Sequence, residues 1–216
     1  HMGDRRRLKA FIFDFDGVVV DTEKYHYLSW CQAASHVGYD LGWEEYLPLK
    51  STGNTEIIQY LRDRSGKDVS EELFQIMRST KLASFDELVK DLSEKDVLPG
   101  IRDFLTWLNE QGVKTAVASS SSTSSGLANR FDLAKHFGVI IDGNRKLPRK
   151  PAPDTFLLAA KLLGAEPCEC IIFEDSLAGI EAACNAGMPV VAVGGIRSDK
   201  AVLHIQDFRD IRNFFG

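Results

Sequence analysis

Residues 9–23 read Lys-Ala-Phe-Ile-Phe-Asp-Phe-Asp-Gly-Val-Val-Val-Asp-Thr-Glu, an apolar run that stops abruptly at two carboxylates one residue apart. Residues 10–13 show no polar alternation and are rich in aromatic and branched side chains, the pattern of a strand covered on both faces. Gly17 then lets the backbone turn. In an extended backbone Asp14 and Asp16 point to the same side, which sets two negative charges a few ångströms apart at the end of a buried strand. That is costly without a nearby cation. A hard divalent ion with oxygen ligands answers the cost and leaves one carboxylate for nucleophilic or acid/base work.

Beyond this stretch the chain changes character twice. Residues 23–37 space Tyr27, Trp30, Cys31, Ala34 and Val37 as one face of a helix that Gly38 can close. From there to about residue 95 no strong strand signal occurs, and residues 55–64, 70–82 and 83–92 read as helices. Ser70, followed by Glu71, Glu72 and an apolar run, is expected to be an N-cap. At Val97-Leu98-Pro99-Gly100 a helix-then-strand alternation begins. Helices are expected at 101–111, 121–131, 154–163 and 176–186, strands at 113–118, 139–141, 170–173 and 189–193, an edge strand at 202–205 and a last helix from Asp207. The expectation is an α/β fold: a Rossmann-like parallel-sheet core of residues 3–22 and 96–216, with an inserted α-helical domain of residues 23–95.

Ligands of open parallel sheets bind outside the carboxyl ends of the strands, so polar residues just past each strand become candidates. They are Asp14 and Asp16, Ser119 and Ser120, Asp142, then Glu174 and Asp175. Asp14, Asp16, Glu174 and Asp175 would repel one another without a metal, and magnesium prefers a few carboxylates together with substrate phosphate. Ser119 follows a buried strand and precedes a helix, where its hydroxyl and the following N–H groups can hold a phosphate. The rest of the 119–125 run, Ser-Ser-Ser-Ser-Thr-Ser-Ser, reads as a connector. Lys150, in the stiff Arg149-Lys150-Pro151-Ala152-Pro153 loop, is a cation suited to balancing transition-state charge.

Composition excludes several classes. With 26 basic and 31 acidic residues, a net charge of −5 and a single short basic cluster at residues 5–7, no extended nucleic-acid-binding face is expected. No run of about 18 apolar residues exists to span a bilayer, and no secretory leader precedes the first strand. A soluble, cytoplasmic monomer acting on a small phosphorylated metabolite is expected. His1 and Met2 read as the remnant of a cleaved tag. Cys31, Cys168, Cys170 and Cys184 lack metal-site spacing and read as reduced thiols.

The chain resembles the haloacid dehalogenase superfamily of aspartate-based phosphotransferases, in the beta-phosphoglucomutase-like subgroup with a helical cap. The resemblance runs from Leu8 to the last helix and rests on four motifs: Asp14-Phe15-Asp16-Gly17-Val18-Val19-Val20-Asp21-Thr22-Glu23, Ala118-Ser119-Ser120, Lys150-Pro151-Ala152-Pro153-Asp154, and Phe173-Glu174-Asp175-Ser176 with Ala178-Gly179. It implies that Asp14 is the nucleophile that becomes an aspartyl phosphate and that Asp16 is the general acid and base. It also implies that Asp14, the backbone carbonyl of Asp16, Glu174 and Asp175 hold Mg2+, and that the cap closes over the site. Thr22, His26, Trp30, Leu49-Lys50 and Lys81 match cap positions of the subgroup's sugar-phosphate mutases and also occur among its phosphatases.

Two departures favour hydrolysis over mutase activity. Asn54 stands where the mutases carry an arginine that grips a second phosphate, and Ser122 and Thr123 replace their Lys-Asn pair. Each lost cation removes a contact worth about 1.5 to 3 kcal/mol in a desolvated site. The alternatives are a beta-phosphoglucomutase-type mutase and, more remotely, a phospho-accepting receiver-like or non-catalytic binding module.

Overall fold

A computed structural model describes residues 7–50 and 52–215. Arg5 and Arg6 of the basic cluster, like His1 and Met2, lie outside the described residues. The chain divides into two compact units, one of His1–Asp21 with Val97–Gly216 and the other of Thr22–Asp96. Where the chain leaves and re-enters the first unit its two crossings are paired: Val20 bridges Val97 antiparallel, and the Leu98 N–H donates to the Val19 carbonyl at 3.0 Å.

The first unit is built on a six-stranded, wholly parallel sheet of β1 (Ala10–Phe13), β2 (Lys114–Ala118), β3 (Val139–Ile141), β4 (Cys170–Glu174), β5 (Val190–Val193) and β6 (Leu203–Ile205) in the order β3-β2-β1-β4-β5-β6. β1 is therefore central, which is why all four of its residues are buried and apolar. Its two faces are different. Ala10 and Ile12 belong to a cluster of small and branched side chains with Ala116, Ile172, Phe156 and Ile180. Phe11 and Phe13 point to the other face, where Phe13 stacks on Phe173 with centroids 4.7 Å apart and Phe104 and Phe208 complete an aromatic layer. Each such ring contributes about 1.5 to 3 kcal/mol through burial.

Chain order gives the helices α1 (Glu23–Ala34), α2 (Trp43–Tyr46), α3 (Asn54–Ser65), α4 (Glu71–Leu88), α5 (Ile101–Glu110), α6 (Ser124–Arg130), α7 (Asp154–Leu163), α8 (Leu177–Asn185) and α9 (Arg212–Phe215). In the helical unit, α1, α3 and α4 enclose Trp30, Ala33, Ile58, Leu61 and Met77, and the Ser70 hydroxyl caps α4 by accepting from the Leu73 N–H at 3.1 Å. Several local expectations change. Residues 70–82 and 83–92 are not two helices, because α4 runs unbroken to Leu88 with no glycine or proline to stop it. α2 is a four-residue helix that periodicity does not reveal. α6 begins at Ser124 rather than residue 121, and the last helix at Arg212 rather than Asp207. Among the described residues no helix is long and apolar enough to cross a membrane.

Candidate active site

β1 and β4 are neighbours although two strands separate them in sequence, so the connections diverge there to opposite halves of the sheet. Such a switch point opens a crevice at the carboxyl ends of the strands. Phe13 is registered with Phe173, and the residue that follows each carries a carboxylate. The Asp14 N–H donates to the Phe173 carbonyl at 3.0 Å, which fixes Asp14 beside Glu174. Asp14, Glu174 and Asp175 are all buried, and one carboxylate oxygen from each lies within 4.8 Å of the others.

Lys150 is 6% exposed and faces this cluster. Its Nζ donates to Glu174 Oε2 at 2.8 Å, to Asp14 Oδ1 at 3.2 Å and to the Ala118 carbonyl at 3.1 Å, and lies 4.8 Å from the centre of the Phe156 ring. The loop that presents it contains a cis Lys150–Pro151 bond and is tied to α8 by Asn185 Nδ2, which donates to the Pro151 carbonyl at 2.9 Å. Burial acts to lower the lysine's pKa, but the charges of Asp14 and Glu174 outweigh it and the net direction is upward, so the ammonium is retained. Burial, and then the Asp14 charge, push the Glu174 carboxyl well above its ordinary range against the pull of Lys150. Three carboxylates and one ammonium leave two formal negative charges uncompensated when all are ionised, which is why that push persists.

The site is shaped as well as charged. A Cβ on Gly17, whose φ is +78°, would meet Asp175 Oδ2 at 2.1 Å, and one on Gly179 would meet Glu174 Cδ at 2.0 Å. The chain thus keeps bare backbone against two carboxylates, and the Asp175 N–H donates to Glu174 Oε1 at 3.1 Å. An all-oxygen donor set with a charge deficit of two fits a hard divalent cation such as Mg2+, with Asp14, Glu174 and Asp175 as the residues that would hold it. Asp16 does not join this group. The strand ends at Phe13, and the Phe15 carbonyl then accepts from the N–H groups of Val18, Val19 and Val20, so the backbone curls through Asp16, which is half-buried.

Ser119, the residue after β2, is 2% exposed. Its Oγ accepts from the Ser121 N–H at 3.1 Å and from Ser124 Oγ at 2.7 Å. The 119–125 run is a knitted turn and not a loose connector. Ser121 and Thr123 hydroxyls pair at 2.8 Å, Ser125 Oγ donates to Asp142 Oδ2 at 2.6 Å, and the Gly143 N–H donates to the Ser121 carbonyl at 3.0 Å. Asp142 is thereby a structural anchor. Ser120 is exposed, and its carbonyl packs so tightly on Gly143 that a Cβ there would come within 2.3 Å.

In the helical unit, Lys81 is buried, with Nζ 3.0 Å from His26 Nδ1, 4.8 Å from the Phe85 ring and 5.7 Å from that of Trp30. The His26 ring stacks on Phe85 at 4.0 Å. Trp30 and Thr22 are buried, while Lys50 and Asn54, at the turn before α3 and its first residue, are half-buried. His26, Trp30 and Lys81 are brought together in this unit; Asp14, Lys150, Glu174 and Asp175 are brought together in the other. Sequence reasoning missed Ser124, Phe156 beneath Lys150, and the role of Gly179 against Glu174. The sole sequence signal for Ser124 was its place in a hydroxyl-rich run.

The four cysteines are all free thiols, and burial pushes that of Cys170 up to about 11, which leaves it unreactive at neutral pH.

Residues 8–187 match the family model of the haloacid dehalogenase-like hydrolases. The beta-phosphoglucomutase of Bacillus subtilis (strain 168) is 34% identical over 190 residues, spanning 87% of this chain and 84% of that protein. The fructose-1-phosphate phosphatase YqaB of Escherichia coli (strain K12) is 29% identical over 192 residues, or 87% and 97% of the two chains. Among solved structures, a beta-phosphoglucomutase from Clostridium difficile superposes with a TM-score of 0.87 at 31% identity, covering 96% of this chain and 95% of that one.

Proposed function

The chain belongs to the haloacid dehalogenase-like hydrolases, and from that premise we propose that it is a Mg2+-dependent phosphatase acting on a small phosphorylated sugar through an aspartyl phosphate on Asp14. The observation that carries the reading is the buried cluster of Asp14, Glu174 and Asp175 with Lys150 at the carboxyl ends of β1 and β4. When bound, the divalent ion would neutralise charge and polarise a phosphoryl oxygen. The protein's own groups supply the rest. An Asp14 oxygen attacks phosphorus as the bond from phosphorus to the leaving oxygen breaks, and Asp16 gives that oxygen its proton. Asp16 then takes a proton from the water that attacks the aspartyl phosphate, which releases inorganic phosphate and restores the Asp14 carboxylate. Lys150 keeps a fixed positive charge beside the reacting carboxylate, and Ser119 offers a hydroxyl to a phosphoryl oxygen.

Hydrolysis is preferred over phosphate shuttling because Asn54, Ser122 and Thr123 are uncharged where the resemblance aligns an arginine and a Lys-Asn pair of the mutases. The likeness to beta-phosphoglucomutases supports the mutase as a second reading. Phosphorylated sugars and glycerol phosphates, assayed for free phosphate alongside beta-glucose 1-phosphate with its bisphosphate activator, separate the two. Phosphate release that Asp14→Asn lowers by at least about a thousandfold is expected, the scale of losing a covalent nucleophile. Turnover that survives Asp14→Asn would remove the mechanism, and glucose 6-phosphate formed without free phosphate would reverse the preference.

A further inference from the structure

Ser124 opens α6 and is fully buried, yet it is a polar side chain in a chain segment that has other serines at the surface. Its hydroxyl donates to Ser119 Oγ at 2.7 Å across a five-residue turn. The Ser121 N–H reaches the same oxygen at 3.1 Å. A serine hydroxyl has two acceptor lone pairs and one proton. With both lone pairs committed inside the turn, the proton of Ser119 has to be given outward. A phosphoryl oxygen carries no proton and only accepts, so a hydroxyl held as a donor is complementary to it, whereas a freely rotating one spends part of its time presenting a lone pair.

We propose that Ser124 is a positioning residue that makes the Ser119 hydroxyl an obligate donor to a phosphoryl oxygen. This rests on the proposed reading of Ser119 as a phosphate contact. The placement of Ser124 is itself held from outside the turn: the next residue, Ser125, is anchored on Asp142, and Gly143 closes against Ser120 and Ser121. The 119–125 run therefore serves the site through one specific pair of hydroxyls five residues apart. Ser124 touches no reacting atom, so its effect passes entirely through Ser119.

A double-mutant cycle with Ser119→Ala, Ser124→Ala and the double variant tests this, read as kcat/KM for p-nitrophenyl phosphate and as inorganic-phosphate affinity by calorimetry in Mg2+. Alanine is smaller than serine and fits the site, and thermal unfolding of each variant is followed in parallel. In the parent background Ser124→Ala is expected to lower kcat/KM and phosphate affinity each by about threefold, the cost of orienting a hydroxyl freed among three staggered positions. In the Ser119→Ala background the same change is expected to leave both unaltered. Equal losses in the two backgrounds, tracking a drop in thermal stability, would mean ordinary packing and overturn the proposal, as would no loss in the parent. Phosphate affinity needs no turnover, so absence of hydrolysis would defeat the proposed function while this comparison still decides the role of Ser124.

Discussion

Alanine is preferred over glycine inside a helix by about 1 kcal/mol, so Gly179 in the first turn of α8 needs a reason. The reason is Glu174, whose carboxylate occupies the space a Cβ would fill, at 2.0 Å. Gly179→Ala is therefore expected to destabilise by about 1 to 3 kcal/mol, against its propensity, because it forces a buried carboxylate off its position. Urea unfolding gives the sign directly, and stabilisation by the alanine would show that Glu174 is free to move. This coupling was not legible in the sequence, where Ala178-Gly179 is merely a small pair after a carboxylate. Asp14, Ser119, Glu174 and Asp175 were legible because each directly follows or ends an apolar strand. For Asp16 the spacing carried less, because the strand ends at Phe13 and the turn over Phe15 is a backbone hydrogen-bond pattern that side-chain spacing does not encode.

Among elements, α2 and α3 are joined by one carboxylate. Glu45 accepts from Tyr60 Oη at 2.5 Å and from the Tyr39 hydroxyl, with the Arg64 guanidinium 3.7 Å away. The two hydroxyls hold Glu45 below its ordinary carboxylate range, and in return its acceptance, with burial behind it, pushes Tyr60 from 10.0 up to about 12. A tyrosine whose folded pKa is raised contributes stability that is whole below the unfolded value and fades as pH rises through the folded one. The stability gap between the parent and Tyr60→Phe is accordingly expected to shrink between about pH 10 and pH 12, measured by urea unfolding followed at the tryptophans. A gap unchanged across that window would mean that Tyr60 keeps no proton for Glu45. For Glu45 the sign is opposite: its contribution is present above the ordinary glutamate range and is lost as pH falls below it. None of this is visible as periodicity, since α2 is a single turn whose partners come from a loop and another helix. α4 is the reverse case, where a break was expected at residues 82–83 although no glycine or proline stands there to make one.

For the whole molecule, what the sequence could not supply was adjacency. Alternating helices and strands made a parallel sheet legible, but the order β3-β2-β1-β4-β5-β6 is what seats β4 against β1 and brings residues 14 and 174, far apart in the chain, onto one crevice. The fold thereby assembles a charge excess: Lys150 pairs with two of the three buried carboxylates, and its single charge offsets only one of their three when all are ionised. A ligand that binds only the folded state stabilises it by RT ln(1 + [L]/Kd), about 2.7 kcal/mol at a hundredfold excess over Kd. Mg2+ at millimolar concentration is therefore expected to raise the melting temperature of the sheet unit by several degrees, and a chelator to reverse it. Trp107 lies on α5 in that unit, whereas Trp30 and Trp43 belong to the helical one, so 19F spectra of fluorotryptophan-labelled protein report the sheet unit through its own resonance. Glu174→Gln removes one ligand charge and is expected to abolish most of the shift while raising the metal-free melting temperature, because it relieves the same repulsion that Mg2+ would neutralise. A parent protein whose Trp107 transition ignores Mg2+, or a Glu174→Gln variant that melts lower than the parent without metal, would show that Lys150 alone suffices to hold the three carboxylates together.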